Sequence, residues 1–325
     1  KNFINANSKE LKINCNIYNG NFYLDTFNYF VIDESLNSFK DLYSRDPNQN
    51  VDHFFRKTFF DKFNQNRKDF KTFNNVFILG LNSADNYYSN LIQFLPRLFF
   101  LNDKSVNLGI HRNSSLNFRN FIKLILDSRN IEFKFVFLDD DFYKFNNSKM
   151  PQFFDLLSSI KILKNYLIPK KIKEMDKKIY VTRENSSYRK IVNESDIIPI
   201  LRSNGYKIIN PFQYTIDEQI RIFSQADKII SPHGSNLSNI IFCKPGTEIY
   251  EIGPKFEENY EVYFENRYKI LSEINNLKYS KFTTDSINVE KHSDLTKKFI
   301  NKKILENSNY YKNLILKIND INKMI

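Results

Sequence analysis

Glycine, cysteine, histidine and tryptophan are scarce in this chain of 325 residues, which has 7 Gly, 2 Cys, 4 His and no Trp, with 9 Pro. Cys15 and Cys243 can neither build a disulfide framework nor complete a four-ligand zinc site. His53, His111, His233 and His292 add no metal-ligand spacing, so no metal site is expected and a reducing compartment is the natural setting. No run of about 18 apolar residues occurs, which argues against a membrane-spanning helix. The segment Lys1 to Glu10 lacks the apolar stretch and small-residue cleavage site of a signal peptide. The first residue is not Met, so an upstream targeting segment is left open. With 41% apolar and 26% charged residues, disorder and collagen-like order are excluded, and the length suits about two domains.

What the chain has in excess is positive charge. Lys and Arg number 48 against 37 Asp and Glu, a net charge of +11 and a pI near 9.3. Such a balance fits nucleic acid, nucleotide phosphates or an anionic lipid surface. No zinc knuckle, RRM-type aromatic motif or helix-turn-helix signature accompanies it, so no nucleic-acid partner is expected. The run Lys161 to Lys178 carries seven Lys beside Glu174 and Asp176. It reads as a solvated linker or helix face, with peripheral contact to an anionic membrane as the alternative.

From Lys177 onward, strands and helices alternate. Strands are expected over Lys177–Arg183, Tyr206–Pro211, Asp227–Pro232 and Thr247–Ile252. Between them fall a helix over Asn193–Asn204, N-capped by Asn193 and stopped at Gly205, and a second opened by the Thr215-x-x-Glu218 capping box. A third begins in HGSNLSNIIF. This order is that of a parallel sheet with right-handed crossovers. The front half repeats it with strands over 74–81, 105–111 and 131–138, a helix over 86–100 kinked near Pro96, and a helix over 116–128. The tail from Asp294 to Ile325 reads as a basic helix closing a core, with membrane-surface docking as the alternative.

The most specific pattern lies between Tyr180 and Ile252. A strand ends in Arg183, and Arg189 follows, leading into Asn193-Glu194. Gly205-Tyr206 opens a strand, Glu218-Gln219 sits on a helix, Pro232-His233-Gly234 precedes Leu237-x-Asn239, and a strand ends at Glu251. In this order the features resemble the catalytic domain of glycosyltransferase family 61. A thinner likeness, the Asn-Tyr-Tyr-His-x-Leu helix of that family, covers Asn86 to Leu98. Two positions depart from the pattern: Ser89 stands where the family usually has His, and Asn236 where it usually has Gly.

The resemblance implies an α/β fold of the GT-B type, with two Rossmann-like domains facing each other across a cleft. The expected division is 1–172 for the acceptor half, 173–280 for the nucleotide-sugar half, and 281–325 for a basic helical segment that crosses back. It implies an inverting transfer, metal-independent and without a cofactor, from a UDP sugar to a hydroxyl of a glycan or lipid-linked oligosaccharide. The setting it implies is bacterial surface-polysaccharide assembly, in the cytoplasm and near the inner membrane.

The residues support this independently. His233, Gly234, Ser235 and Asn236 lie where a strand gives way to a helix, so backbone N–H groups converge on an anion site at the ligand end of a parallel sheet. Arg183 and Arg189 supply fork-like positive charge for a diphosphate. Glu251 either binds donor hydroxyls or caps a turn, and Asn239 either orients His233 or packs. His233 and Asp85 are the candidate catalytic groups. Asp85, before the Tyr-Tyr helix, is the candidate base, with a helix N-cap as its other reading. Three rivals remain: a metal-dependent transferase using Asp139, Asp140 and Asp141, a basic non-enzymatic polyanion-binding module, and an inactive relative.

Overall fold

A computed structural model of the chain describes residues 3–8, 11–26, 30–39, 42, 53–80, 86–168, 176–255, 262–292, 294, 297 and 302–325. It divides into two compact units, Lys1–Tyr166 and Leu167–Ile325. Each is an α/β unit built on a mixed, largely parallel sheet. Among the described residues no helix is long and apolar enough to cross a membrane.

The first unit holds an eight-stranded sheet. Its strands are β1 (Phe3–Ser8), β2 (Ile13–Asp25), β3 (Phe30–Asp33), β4 (Lys71–Asn74), β5 (Val76–Gly80), β6 (Ser105–His111), β7 (Glu132–Leu138) and β8 (Phe142–Pro151). The main order is β1-β2-β8-β5-β6-β7, with β3 on β2 and β4 on β8. Parallel pairing joins β8, β5, β6 and β7, while β1, β2 and β3 add antiparallel strands. A simple Rossmann-like half is thus corrected to a parallel sheet extended by an antiparallel ribbon.

The helices of this unit are α1 (His53–Asn66), α2 (Leu95–Leu98), α3 (Leu116–Ser128) and α4 (Leu156–Leu167). The expected helix over 86–100 is interrupted: Ser89–Phe94 is π-helical and passes into α2 around Pro96. Pro96 has no N–H, and its ring opposes the carbonyl of residue 92, so a wider turn there relieves the helix. Arg97, fully buried, donates to the carbonyls of Leu79 and Pro151 and lies over the Phe153 ring, binding the ends of β5 and β8.

The second unit has the strand order β10-β9-β11-β12-β13-β14. These are β9 (Lys178–Val181), β10 (Lys207–Ile209), β11 (Lys228–Pro232), β12 (Glu248–Pro254), β13 (Lys278–Ile287) and β14 (Asn313–Ile315). All pairs are parallel except β13 with β14. The crossovers carry α5 (Glu194–Ser203), α6 (Ile216–Gln225), the 3-10 helix Ser235–Phe242 and α7 (Val262–Ile274). Ile179, Tyr180, Ile229, Ile230, Ile249 and Ile252 are wholly buried along β9, β11 and β12. At roughly 1.5–3 kcal/mol for each buried large apolar side chain, this stripe is the main stabilising term of the sheet.

Two local expectations are corrected here. Asn193 does not cap α5: its side chain donates to Leu316 O (2.8 Å) and accepts from Leu316 N (3.1 Å). The tail is not one helix. Among the described residues it holds α8 (Lys302–Asn307), β14 and α9 (Ile318–Asn322), and Leu314, Leu316, Ile321 and Met324 are buried in the core with Tyr180 and Ile230. Strand pairing satisfies the backbone polar groups of this short apolar segment, which a helical pattern alone does not reveal.

Gly205 stops α5 at φ +80°, a left-handed position suited to glycine. At α6, Thr215 Oγ1 accepts from Glu218 N (3.2 Å), and Glu218 Oε2 accepts from Thr215 N (2.7 Å), closing the capping box. Thr215→Ala is expected to cost about 1 kcal/mol and to lower the melting temperature by a few degrees, measured by circular dichroism.

Candidate functional site

In the second unit β9 and β11 are parallel neighbours, and their onward connections lead to β10 on one side and β12 on the other. That is a topological switch point, where the carboxyl ends of strands open a crevice for a ligand. Arg183 follows β9 there, and His233 and Gly234 follow β11. The sequence-expected residues Arg183, Arg189, His233, Gly234 and Glu251 therefore come together at one sheet edge.

Arg183 is buried at 8% exposure, and one guanidinium nitrogen donates to Tyr188 O (3.2 Å). Its Nε is buried and makes no hydrogen bond among the described residues. Burial first, and then the neighbouring Arg189, push its pKa down to about 10, so it is charged at neutral pH but stored at a cost. A β-carbon on Gly234 would lie 1.8 Å from Arg183 Nη1, so only glycine leaves room for the guanidinium against the backbone. The φ of Gly234 is extended, and space is therefore the reason for glycine here.

Arg189 is buried beside it at 4% exposure, in a left-handed conformation at φ +57°. Its Nε donates to His233 O (2.9 Å) and Nη1 to Tyr310 O (3.0 Å), and the guanidinium carbon lies 3.9 Å from the Tyr310 ring centre and 4.6 Å from that of Tyr188. Neither arginine has an ion-pair partner among the described residues. Two buried guanidiniums side by side without a carboxylate are costly, and an anion of matching shape compensates them.

His233 is enclosed at 1% exposure, edge-on to the Tyr268 and Tyr310 rings. Its Nδ1 meets Glu251 Oε1 at 2.5 Å, while Glu251 Oε2 accepts from the Tyr279 hydroxyl (2.7 Å). A carboxylate only accepts, so the imidazole proton sits on Nδ1. Burial pushes His233 down to about 4 despite the opposing pull of Glu251. Both Glu251 oxygens are thus engaged within the protein, and Glu251 orients His233.

Ser235 and Asn236 are half-buried at the start of the 3-10 helix that replaces the expected α-helix. Asn239, expected to orient His233 or to pack, donates to Gln219 Oε1 (3.1 Å), and Gln219 in turn donates to Pro211 O and Tyr214 O. Tyr268, whose hydroxyl donates to Gly234 O (2.6 Å), Tyr279 and Tyr310 were not picked out by sequence reasoning. They are three of 19 tyrosines, and no local pattern sets them apart.

In the first unit, Asp85 lies outside the described residues. Its neighbour Asn86 takes a capping role, its side chain accepting from Ser89 N (3.2 Å). The acidic triplet between β7 and β8 is divided among several partners. Asp139 pairs with Arg112 (2.7 Å), Asp140 with His111 Nε2 (3.1 Å), and Asp141 accepts from Phe142 N (2.8 Å). Among the described residues, no group of three or more His, Cys, Asp or Glu side chains converges.

A model of the glycosyltransferase 61 family matches residues 43–250, nearly two thirds of the chain. The match covers the whole run from Arg183 to Asn239 and stops one residue before Glu251. Among curated proteins, none matches the chain.

Two outcomes follow from this geometry. Gly234→Ala is expected to displace Arg183 and abolish stabilisation by UDP in a thermal-shift assay, while Gly205→Ala, with no atom within 4 Å of the added carbon, leaves that stabilisation in place. His233 binds its proton less readily folded than unfolded, so the unfolded chain takes up more protons between about pH 6.5 and 4. Stability is therefore expected to fall on acidification through that window and to be level above it with respect to this group. His233→Gln is expected to flatten that slope in denaturant titrations at successive pH values.

Proposed function

The chain belongs to the glycosyltransferase 61 family, and on that premise we propose that it transfers a sugar from UDP to a hydroxyl of a glycan or lipid-linked oligosaccharide, with inversion. The observation that carries the donor assignment is the buried pair Arg183 and Arg189 at the switch point of the second sheet, with no ion-pair partner among the described residues. A nucleoside diphosphate has the charge and the paired oxygens that two guanidinium forks accept. Backbone N–H groups at the start of the Ser235–Phe242 helix add to that field.

In the proposed reaction, the acceptor hydroxyl loses its proton to a base as its oxygen attacks the anomeric carbon. The bond from that carbon to the diphosphate oxygen breaks, and the electron pair leaves with UDP. Arg183 and Arg189 stabilise the charge that grows on the diphosphate, and preorganised donors of this kind lower the barrier without reorganisation. His233, held by Glu251 and Tyr279, supplies through its carbonyl the anchor of Arg189. Asp85 is proposed as the base, the two α/β units as the halves of a GT-B enzyme, and bacterial surface-glycan assembly at the cytoplasmic face of a membrane as the setting.

A thermal-shift screen of nucleotide sugars tests the donor, because a ligand that binds only the folded chain raises its melting temperature by mass action. UDP and one UDP sugar are expected to stabilise the chain, and Arg183→Ala and Arg189→Ala each to weaken UDP by about tenfold or more. Undiminished UDP affinity in both variants removes the assignment. Asp85→Asn is expected to lower kcat by about a hundredfold or more at unchanged UDP affinity.

A further inference from the structure

The segment from Asn309 to Leu316 lies beyond the family match, which ends at residue 250, yet it forms one wall around Arg189. Asn309–Tyr311 is a 3-10 turn and Asn313–Ile315 is β14. β14 pairs antiparallel with β13 on one side and makes a parallel bridge, Leu314 to Ile191, on the other. The stretch from Arg189 to Asn193 is laced to it throughout. Arg189 N donates to Lys312 O (2.8 Å), Leu314 N to Lys190 O (2.8 Å) and Val192 N to Leu314 O (2.9 Å). Lys190 N donates to the Asn313 side chain (3.1 Å), and Asn193 closes the row on both backbone groups of Leu316.

This lacing explains a costly local conformation. A non-glycine residue at φ +57° persists only where its surroundings over-determine it, and such residues concentrate at functional sites. Here the bond from Arg189 N to Lys312 O holds the backbone, while Tyr310 holds the side chain by its carbonyl and its ring. The same ring stands against His233, whose carbonyl takes the Nε of Arg189. Two constraints on the guanidinium therefore come directly from Tyr310, its carbonyl and its ring, and a third acts through His233 against the same ring.

We propose that the C-terminal strap Asn309–Leu316 is a working part of the diphosphate site, with Tyr310 as the positioning residue that aims Arg189 at the ligand. This rests on the reading of Arg183 and Arg189 as that site. The Tyr310 ring gives the cation a partner that does not neutralise it, so the arginine stays charged and oriented yet keeps its demand for an anion. A carboxylate in the same place would satisfy Arg189 internally and compete with the ligand. The strap thus contributes orientation, and the anion contributes the countercharge.

The test uses the full chain and the dissociation constant for UDP, in a double-mutant cycle of Tyr310→Leu with Arg189→Ala, and in Tyr310→Phe. Tyr310→Leu is expected to weaken UDP about tenfold in the wild-type background and by less than about twofold when Arg189 is already Ala. Tyr310→Phe keeps ring and carbonyl and removes only the hydroxyl's contact with Arg189, and it is expected to lose less UDP affinity than Tyr310→Leu. Equal losses in both backgrounds, or none, overturn the proposal, because a merely structural role does not couple to Arg189. A second measurement needs no variant: UDP is expected to slow hydrogen exchange at the amides of Arg189, Val192 and Leu314 in the wild-type chain, and unchanged exchange at all three overturns the proposal. If wild type binds neither UDP nor inorganic pyrophosphate, the diphosphate reading itself falls, and the strap's role with it. Wild-type binding with an indifferent Tyr310→Leu removes the strap alone.

Discussion

Two guanidiniums share a buried edge of the second sheet with no carboxylate paired to them among the described residues, and most of the surrounding architecture serves to keep them there. Burial of one unpaired charge is expensive, and a second like charge beside it raises the cost. The compensation comes from groups that orient without cancelling charge. Backbone carbonyls of Tyr188, His233 and Tyr310 accept the N–H groups, and aromatic faces lie against Arg189. The result is a concentrated positive charge held in a fixed orientation at the carboxyl ends of the strands.

Space and rigidity come from a small set of residues. Gly234 lets Arg183 rest against the chain where any side chain would collide. Tyr268 holds Gly234 by its carbonyl, and the buried series Tyr279, Glu251 and His233 fixes the imidazole from behind. Beneath them, Glu194 accepts from the hydroxyls of Tyr180 (2.6 Å) and Thr182 (2.7 Å), which ties the start of α5 to the end of β9. The hydroxyls of Tyr180, Thr182, Tyr268 and Tyr279 are thereby satisfied at a depth where an unsatisfied one would cost about 1–3 kcal/mol.

The first unit follows a different logic. Its aromatic core, including Tyr18, Phe22, Phe94, Tyr143 and Phe145, joins the parallel strands to the antiparallel ribbon. Its polar groups at the carboxyl ends of β6 and β7 are engaged with one another, Arg112 with Asp139 and His111 with Asp140. Internal pairing there contrasts with Arg183 and Arg189 of the second unit, which have no ion-pair partner among the described residues. Family membership assigns a sugar transfer to the chain, and the contrast fits donor charge recognition in the second unit.

Local signals made much of the second unit legible. Short apolar runs marked β9 and β11, the Thr215 capping box marked α6, and Gly205 marked the end of α5, because these features act within a few residues. The gathering of Arg183, His233 and Gly234 was legible for the same reason: they stand at strand ends, and a parallel sheet gathers strand ends at one edge. β2 and β8 escaped notice because asparagines interrupt their alternation and their pairing joins residues more than a hundred positions apart. β13 escaped because its alternation contains no fully buried residue. Asn193 had the right position for a cap, and only the fold brought Leu316 close enough to claim its side chain. The sequence alone determined the kind of chemistry, since charge type and strand-to-helix order are local properties. Tertiary structure decided which groups hold that chemistry in place: Glu251 turned inward to His233, and Tyr310 reached Arg189 from 121 residues away. Packing between distant segments is what selects those partners, and it has no signature within either segment by itself.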